Sequence, residues 1–261
     1  MVKVGLFHTG GFTEIGALQA FLERGCPGVR FERRFPARKG PRPTGRLHAP
    51  RLEHEGVTGR DLITRMIAML SEYDTSADYA AYVLVDDADC RFCEGGPDEL
   101  DARRRDWNNR VAAVLGRPVP LFVCLAFQEI EAWLLGDWER TFVAEYPRHH
   151  HALRRGLTDA LGVGALALPE EVGCPERPGG AGCSVKVSAK IEAMSAVVVP
   201  VDGLPFRYSK AVQGQPMLRR ADPDAVALRC RQFQRDLARL REGMIALREG
   251  RNDDACALAA R

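Results

Sequence analysis

The chain of 261 residues lacks any long uninterrupted hydrophobic run. A membrane-spanning helix needs about eighteen or more consecutive apolar residues, and no segment of this sequence approaches that length. The run from Met1 to Phe7 is also too short to form the apolar region of a signal peptide. We therefore expect a cytoplasmic protein that has no membrane partner.

The sequence also lacks a strong excess of one charge, with 37 Lys and Arg against 35 Asp and Glu. This balance is too mild to indicate nucleic-acid binding from composition alone. One basic, proline-rich stretch, residues 36–48, is expected to be an exposed loop, and Arg33 and Arg34 come before it. Its candidate polyanion contacts, which a merely solvated loop explains equally well, are Arg38, Lys39, Arg42 and Arg46.

A second C-x-x-C is missing as well, although the chain has eight cysteines. A structural zinc site normally needs two such pairs, or one pair with a spaced histidine pair. Cys90 and Cys93 form one pair, and the two further ligands would have to be Cys174 and Cys183, from a proline- and glycine-rich loop. A zinc site is therefore disfavoured, and reduced thiols are expected.

The hydrophobic pattern predicts an α/β fold in which a mostly parallel sheet is flanked by helices on both faces. An α/β core is expected at 1–145, and a mainly helical C-terminal extension at 146–261 is expected to pack on it, with a Pro/Gly/Cys loop at 169–183. The core strands are predicted at 2–7, 28–35, 80–86 and 118–127, and its helices at about 13–24, 57–70, 98–115 and from about 129 onwards.

Acidic side chains follow two of the predicted strands at the point where each strand ends. Carboxyl ends of parallel strands meet at one edge of a sheet, and carboxylate oxygens are the ligands that Mg²⁺ or Mn²⁺ takes in phosphoryl chemistry. An alternative is that each acid caps the positive end of the following helix. Five acids at two strand ends favour a metal site; they are Asp86, Asp87, Asp89, Glu129 and Glu131.

A glycine-containing turn follows the first predicted strand, with the sequence Thr9-Gly10-Gly11-Phe12-Thr13-Glu14. Glycines at such a turn let backbone N–H groups approach an anion. The spacing is neither that of a Walker loop nor that of G-x-G-x-x-G. By itself the turn is therefore interpreted as an ordinary tight turn in which Thr13 caps the following helix.

Together, the first strand with its glycine turn and the later strand ending in D-x-D resemble the Toprim fold of topoisomerases, bacterial primases and OLD-type nucleases. Residues 10–14 look like the first Toprim motif and residues 85–89 like the second. Residues 128–137 are similar to an acidic motif of the uncharacterised Toprim-like domain-of-unknown-function family 4276. The C-terminal pattern of that family is recognisable in Tyr208-Ser209-Lys210, in Gly214 and in Cys230-x-x-Phe233.

The resemblance implies a metal-dependent nuclease acting on nucleic-acid phosphodiesters, DNA or RNA. In it Asp87 and Asp89, with Asp86 beside them, would hold Mg²⁺ or Mn²⁺. The resemblance also implies a role in bacterial phage defence, in which a separate AAA or ABC-type ATPase is the partner. Lys210 is a candidate phosphate contact, although a basic side chain usually faces water.

One position departs from the Toprim pattern: Gly10 stands where the family has its first glutamate, whereas Glu14 is kept at the second. Either Glu14, Glu129 or Glu131 then supplies the missing carboxylate as the proton-handling group, or the site binds metal poorly and does not cleave. The alternative function is accordingly a non-catalytic binding or docking subunit with a degenerate metal site.

Overall fold

The computed structural model describes residues 1–11, 13–36, 60–72, 79–88, 96–127, 129–162, 166–171, 186–200 and 207–261. Its centre is a four-stranded, all-parallel sheet in the order β2-β1-β3-β4. The strands are β1 (Val2–His8), β2 (Val29–Phe35), β3 (Ala81–Asp87) and β4 (Leu121–Ala126). This Rossmann-like arrangement confirms the prediction of an α/β fold with a parallel sheet.

Helices connect the strands and make up the C-terminal half of the chain. Those of the first half are α1 (Leu18–Gly25), α2 (Arg60–Glu72), α3 (Gly96–Leu115) and α4 (Glu131–Gly136), followed by a π-helical turn (Glu139–Val143). Those of the second half are α5 (His150–Leu161), a 3₁₀ turn (Pro169–Glu171), α6 (Val187–Val198), a π-helical turn (Lys210–Gly214), α7 (Gln215–Arg220), α8 (Pro223–Ala227), α9 (Arg231–Arg248) and α10 (Asn252–Ala259). None of these helices combines the length and the hydropathy needed to cross a membrane.

Strands β3 and β4 are buried on both faces, which is why they are apolar at nearly every position, whereas the edge strand β2 carries four charged residues. Alternate residues of each strand point to opposite faces. In β3, Val83 and Val85 pack with α1, α4 and α9, whereas Tyr82 and Leu84 pack with α2 and α3. Helices therefore cover both faces of the sheet, as predicted.

The C-terminal helices pack directly on the first of these faces. Phe21 of α1, Trp133 of α4 and Phe233 of α9 form one aromatic group, with ring centroids 4.5 Å apart for Trp133 and Phe233. The same hydrophobic cluster continues from Val2 in β1 to Ala259 in α10. The cluster thus includes residues from both sides of position 145, and the domain boundary expected there stays a prediction.

The outer edge of β4 is closed by side chains instead of a further strand. Asn108 of α3 both accepts a hydrogen bond from the Leu121 N–H and donates one to the Leu121 carbonyl, at 2.9 and 3.0 Å. Asp236 of α9 accepts a hydrogen bond from the Leu125 N–H at 3.0 Å. Because an exposed strand edge invites pairing with another chain, these contacts protect the sheet and fix α3 and α9 against it.

Two predicted helices have different limits in the structure. The helix expected from about Thr13 begins only at Leu18, because Gly16 adopts a φ of +80°, which a helix residue does not have. The prediction that Thr13 caps a helix is therefore wrong. The sequence pattern also predicts a short helix around Val185 to Met194, and in the structure α6 begins at Val187 and continues to Val198.

Candidate functional site

Acidic side chains from three parts of the fold meet at the carboxyl edge of the sheet. Glu14 lies in the turn after β1, Asp87 ends β3, and Glu131 begins α4 directly after β4. Glu14 and Glu131 are buried, and both charges act on Asp87. The structure thus places Glu14, Asp87 and Glu131 at the same edge of the sheet, and the metal site expected there stays a prediction.

Asp87 joins β3 to the start of α4. Its Oδ1 atom accepts a hydrogen bond from the Ile130 N–H at 2.9 Å. Burial, followed by the nearby charges of Glu14 and Glu131, raises the pKa of Asp87 well above its usual value.

The carboxyl group of Glu14 is held close to its own turn. Thr9 Oγ1 donates a 2.6 Å hydrogen bond to Oε1, and a Cβ atom at Gly11 would overlap the carboxyl group. Gly11 is therefore required by the close approach of the Glu14 side chain. Burial raises the pKa of Glu14, the Thr9 hydroxyl opposes this, and the charge of Glu131 adds to it. A carboxyl group with a raised pKa is suited to proton transfer near neutral pH.

Glu131 is fully buried and is bound from both halves of the chain. Thr13 Oγ1 donates a hydrogen bond to Oε1 at 2.9 Å, and the Tyr208 hydroxyl donates a longer one to the same atom at 3.5 Å. A Cβ atom at Gly214 would overlap Thr13 Oγ1, so glycine there lets the second half approach the turn. Burial raises the pKa of Glu131 despite its partners.

Glu129 differs from the other acids because its charged form is well stabilised. The Ser188 N–H donates a 2.9 Å hydrogen bond to Oε2, and Lys186 and Lys210 each place Nζ 3.5 Å from Oε1. Burial would raise the pKa of Glu129, but the Ser188 N–H and Lys210 outweigh it and lower the pKa. Glu129 is therefore an anion that ties α4 to the start of α6.

Lys210 supplies the central positive charge. Its Nζ atom lies 3.0 Å from Glu131 Oε2 as well as 3.5 Å from Glu129 Oε1, and a third of the side chain remains exposed. Burial opposes the charged ammonium, but Glu131 and Glu129 together outweigh it and raise the pKa of Lys210. Lys210 is consequently a permanent cation facing the acids.

The sequence-predicted residues fall into three groups. Glu14, Asp87, Glu129, Glu131 and Lys210 come together at the edge described above. Asp86 is buried and, by strand alternation, lies on the opposite face of the sheet from Asp87. The remaining candidates lie outside the described residues; they are Asp89, Arg38, Lys39, Arg42 and Arg46, with Cys90, Cys93, Cys174 and Cys183.

The acidic edge offers carboxylate oxygens, which are the donor atoms that magnesium and manganese ions prefer, and its negative charge is complementary to a cation. Within the described ranges, no group of three His, Cys, Asp or Glu side chains is placed to hold a metal ion. Mg²⁺, however, is usually bound by one or two carboxylates and keeps several waters and substrate oxygens. Asp87 provides one carboxylate, whose pKa is raised by burial and then by the charges of Glu14 and Glu131, and a bound cation would favour its charged form.

Several contacts of the site were not predicted from the sequence. Thr9 and Thr13 orient two glutamates, and Ser188 binds a third through its backbone N–H. Isolated hydroxyl residues carry no spacing signal, and a backbone donor carries no sequence signal at all. Tyr208 is an exception, because it belongs to the Tyr208-Ser209-Lys210 segment that resembles the C-terminal pattern of the Toprim-like family.

Comparison of the chain with protein-family models, with curated proteins and with solved structures found no match. The Toprim resemblance therefore stays a prediction, and functional inference rests on the geometry of the acidic edge.

Proposed function

We propose that the protein is a divalent-metal-dependent phosphodiester hydrolase acting on nucleic acid. The observation that carries this proposal is the convergence of Glu14, Asp87 and Glu131 at one sheet edge, where mutual repulsion and burial raise the pKa of Asp87. A purely structural cluster would be expected to balance its charges, because uncompensated buried carboxylates cost stability. Surplus negative charge beside solvent is the property that a cation-binding centre needs.

Each residue has a defined role in this proposal. Asp87, with Asp89 as the further ligand that the sequence predicts, would hold Mg²⁺ or Mn²⁺, which supplies positive charge at the phosphate. Glu14 handles the proton of the attacking water, since its pKa is raised and its orientation is fixed by Thr9. Lys210 offsets the charges of Glu129 and Glu131 and presents its exposed part to the substrate.

Purified protein is expected to cleave DNA or RNA when Mn²⁺ or Mg²⁺ is added. Asp87→Asn should abolish metal-dependent cleavage, and Glu14→Gln should reduce it by about a hundredfold or more while Mn²⁺ binding persists. The measurement is initial cleavage of labelled single-stranded DNA, duplex DNA and RNA, with Mn²⁺ binding followed by calorimetry. Asp159→Asn, an exposed acid on α5, is the matched control and should cleave normally.

Undiminished cleavage by both Asp87→Asn and Glu14→Gln would refute the assignment. So would the absence of both metal binding and cleavage in the unaltered protein.

A second function is favoured by one specific contact, the position of Lys210 between Glu129 and Glu131. An ammonium group already occupies the space between these two acids and offsets part of their charge, as it would in a non-catalytic binding or docking subunit with a degenerate metal site. This alternative predicts that the protein binds nucleic acid or an ATPase partner without cleaving nucleic acid. Calorimetry that shows tight Mn²⁺ binding lost in Asp87→Asn would exclude it.

A further inference from the structure

A cavity of about 150 Å³ lies at the carboxyl edge of the sheet beside the acids. It is enclosed by β1, β2 and the turn that leads into α1. Its lining residues are Leu6, His8, Glu14, Gly16, Gln19 and Arg33. A water molecule takes up about 30 Å³ of liquid, so the cavity has room for a group of several heavy atoms.

His8 places a buried hydrogen-bond donor against this cavity. The side chain is almost completely buried, and its Nδ1 atom accepts a hydrogen bond from the Gly10 N–H at 3.2 Å. Burial, and then the charge of Arg33, lowers the pKa of His8 to about 3, so the ring is neutral. A neutral ring that accepts at Nδ1 carries its proton on Nε2.

The Nε2–H group is the part of His8 that is left to bind something else. Within the described part of the chain, the ring's recorded hydrogen bond is the one at Nδ1. His8 is one of the residues that line the cavity. A buried polar group normally has a partner, so a donor kept open to a cavity points to a ligand with acceptor atoms.

Arg33 adds a positive charge to the same cavity. It pairs with Leu6 in the register of β1 and β2, and both residues line the space. The influence of its guanidinium on the His8 ring shows that charge and donor act at the same place. A guanidinium combined with a neutral N–H donor suits phosphate oxygens, because charge-assisted hydrogen bonds to phosphate are short and strong.

Glu14 connects this cavity to the acidic edge. Its carboxyl group lines the cavity and also acts electrostatically on Asp87. A group bound in the cavity therefore lies next to the residue assigned to proton transfer.

We propose that the cavity is a phosphate-binding subsite, in which His8 Nε2–H and the Arg33 guanidinium bind one phosphate group. This role rests on the proposed function. In it, the subsite binds the phosphate of the nucleic acid that lies next to the phosphate being cleaved. Its specificity is for phosphate oxygens and not for a base.

The direct test is calorimetric titration of the full chain with inorganic phosphate in EDTA, without divalent metal. Phosphate is expected to bind in the millimolar range or tighter, and Arg33→Gln should weaken it by about tenfold because a charge-assisted contact is lost. Arg30→Gln, an exposed arginine on the same strand that does not line the cavity, is the matched control. No binding, or equal weakening by Arg30→Gln, would overturn the subsite.

His8 is buried, so its substitution alone could unfold the protein, and a measurement on the unaltered chain is needed. The ¹⁵N signal of His8 Nε2 should shift on phosphate addition, whereas the exposed His151 should not shift comparably. An unchanged Nε2 signal at saturating phosphate would remove His8 from the proposal and with it the subsite.

A final comparison separates a free phosphate from one carried by nucleic acid. In EDTA, an oligonucleotide should compete with inorganic phosphate for the chain, and Arg33→Gln should weaken oligonucleotide binding by about tenfold. An oligonucleotide that does not compete with inorganic phosphate would refute the nucleic-acid role. Because no cleavage is measured, phosphate binding without metal-dependent cutting would contradict the proposed function and leave the phosphate subsite standing.

Discussion

Two clusters of buried charge in this protein are built in opposite ways. The Asp236 cluster consists of Asp236, Asp101, Arg104 and Arg239, and it joins α9 to α3 and β4. The acidic site consists of Glu14, Asp87, Glu129 and Glu131, with Lys186 and Lys210 as the cations bound to it. Counted over the residues that the structure describes, the first has two acids for two bases, whereas the second has four acids for two bases.

Their positions explain the difference. Asp236 is fully buried, and its two carboxylate oxygens are used by Arg104 at 2.6 Å, Arg239 at 2.5 Å and the Leu125 N–H at 3.0 Å. The acidic site lies at the carboxyl edge, where Lys210 remains partly exposed. Balanced charge stabilises the fold. Surplus negative charge at an exposed edge lowers the stability of the fold, and a bound cation can restore it.

Asp236→Asn should give the largest change in stability. Asn keeps an acceptor for the Leu125 N–H, but Arg104, which is 3% exposed, loses its buried counter-charge. The free energy of unfolding is expected to fall by about 3–5 kcal/mol in denaturant titration. Asp101→Asn, an exposed partner of the same arginine, should cost about 1 kcal/mol or less. Equal losses would contradict the distinction between buried and exposed members.

Lys210→Met should have a smaller but clear effect, because it leaves Glu131 without its nearest cation. We expect a loss of about 2 kcal/mol near neutral pH, reduced by the partial exposure of Lys210. The loss should shrink in acid, where Glu131 can be protonated. Lys186→Met, with a side chain 61% exposed, should change stability by about 0.5 kcal/mol or less. A pH-independent loss for Lys210→Met would show that the charge of Glu131 is not involved.

Asp87→Asn should produce the smallest change, with the opposite sign. The folded pKa of Asp87 is raised above its unfolded value, so the folded chain binds this proton more tightly. The unfolding free energy of the metal-free protein therefore falls as pH rises from the ordinary carboxyl pKa towards the raised one. Removing the charge should flatten that slope and stabilise the protein by about 1 kcal/mol at neutral pH.

Denaturant titrations of the metal-free protein across this pH range measure the effect. Destabilisation by Asp87→Asn in EDTA would mean that the carboxylate is structural. The acidic site would then resemble the Asp236 cluster, and the comparison would fail.

Much of the fold follows from local sequence pattern. Each strand was predicted because apolar, β-branched runs such as Val83 to Val85 are typical of strands buried on both faces. The placement of Asp87 and Glu131 at one edge of the sheet agrees with the rule that parallel strands end at one edge. Helix α1 was misjudged because its start depends on the backbone conformation of Gly16, which residue identity alone leaves open.

Contacts between residues that are far apart in the chain were harder to predict from the sequence. Lys210 was only one of several candidate phosphate contacts, yet it binds Glu131 across the two halves of the chain. His8 gave no signal, because a lone histidine at a strand end is indistinguishable from a core residue. Its importance depends on a cavity formed by α1 against β2, and no motif describes a cavity.

Local sequence pattern is enough to predict the parallel α/β sheet and the carboxylates at the ends of its strands, since hydrophobic periodicity and strand polarity are local properties. Which acids are paired with a base and which are not depends on the folded structure. That balance depends on distances between side chains far apart in the chain, such as Lys210 with Glu131 and Asp236 with Arg104. Electrostatic energy depends on separation and burial, and both are fixed only when the helices pack on the sheet.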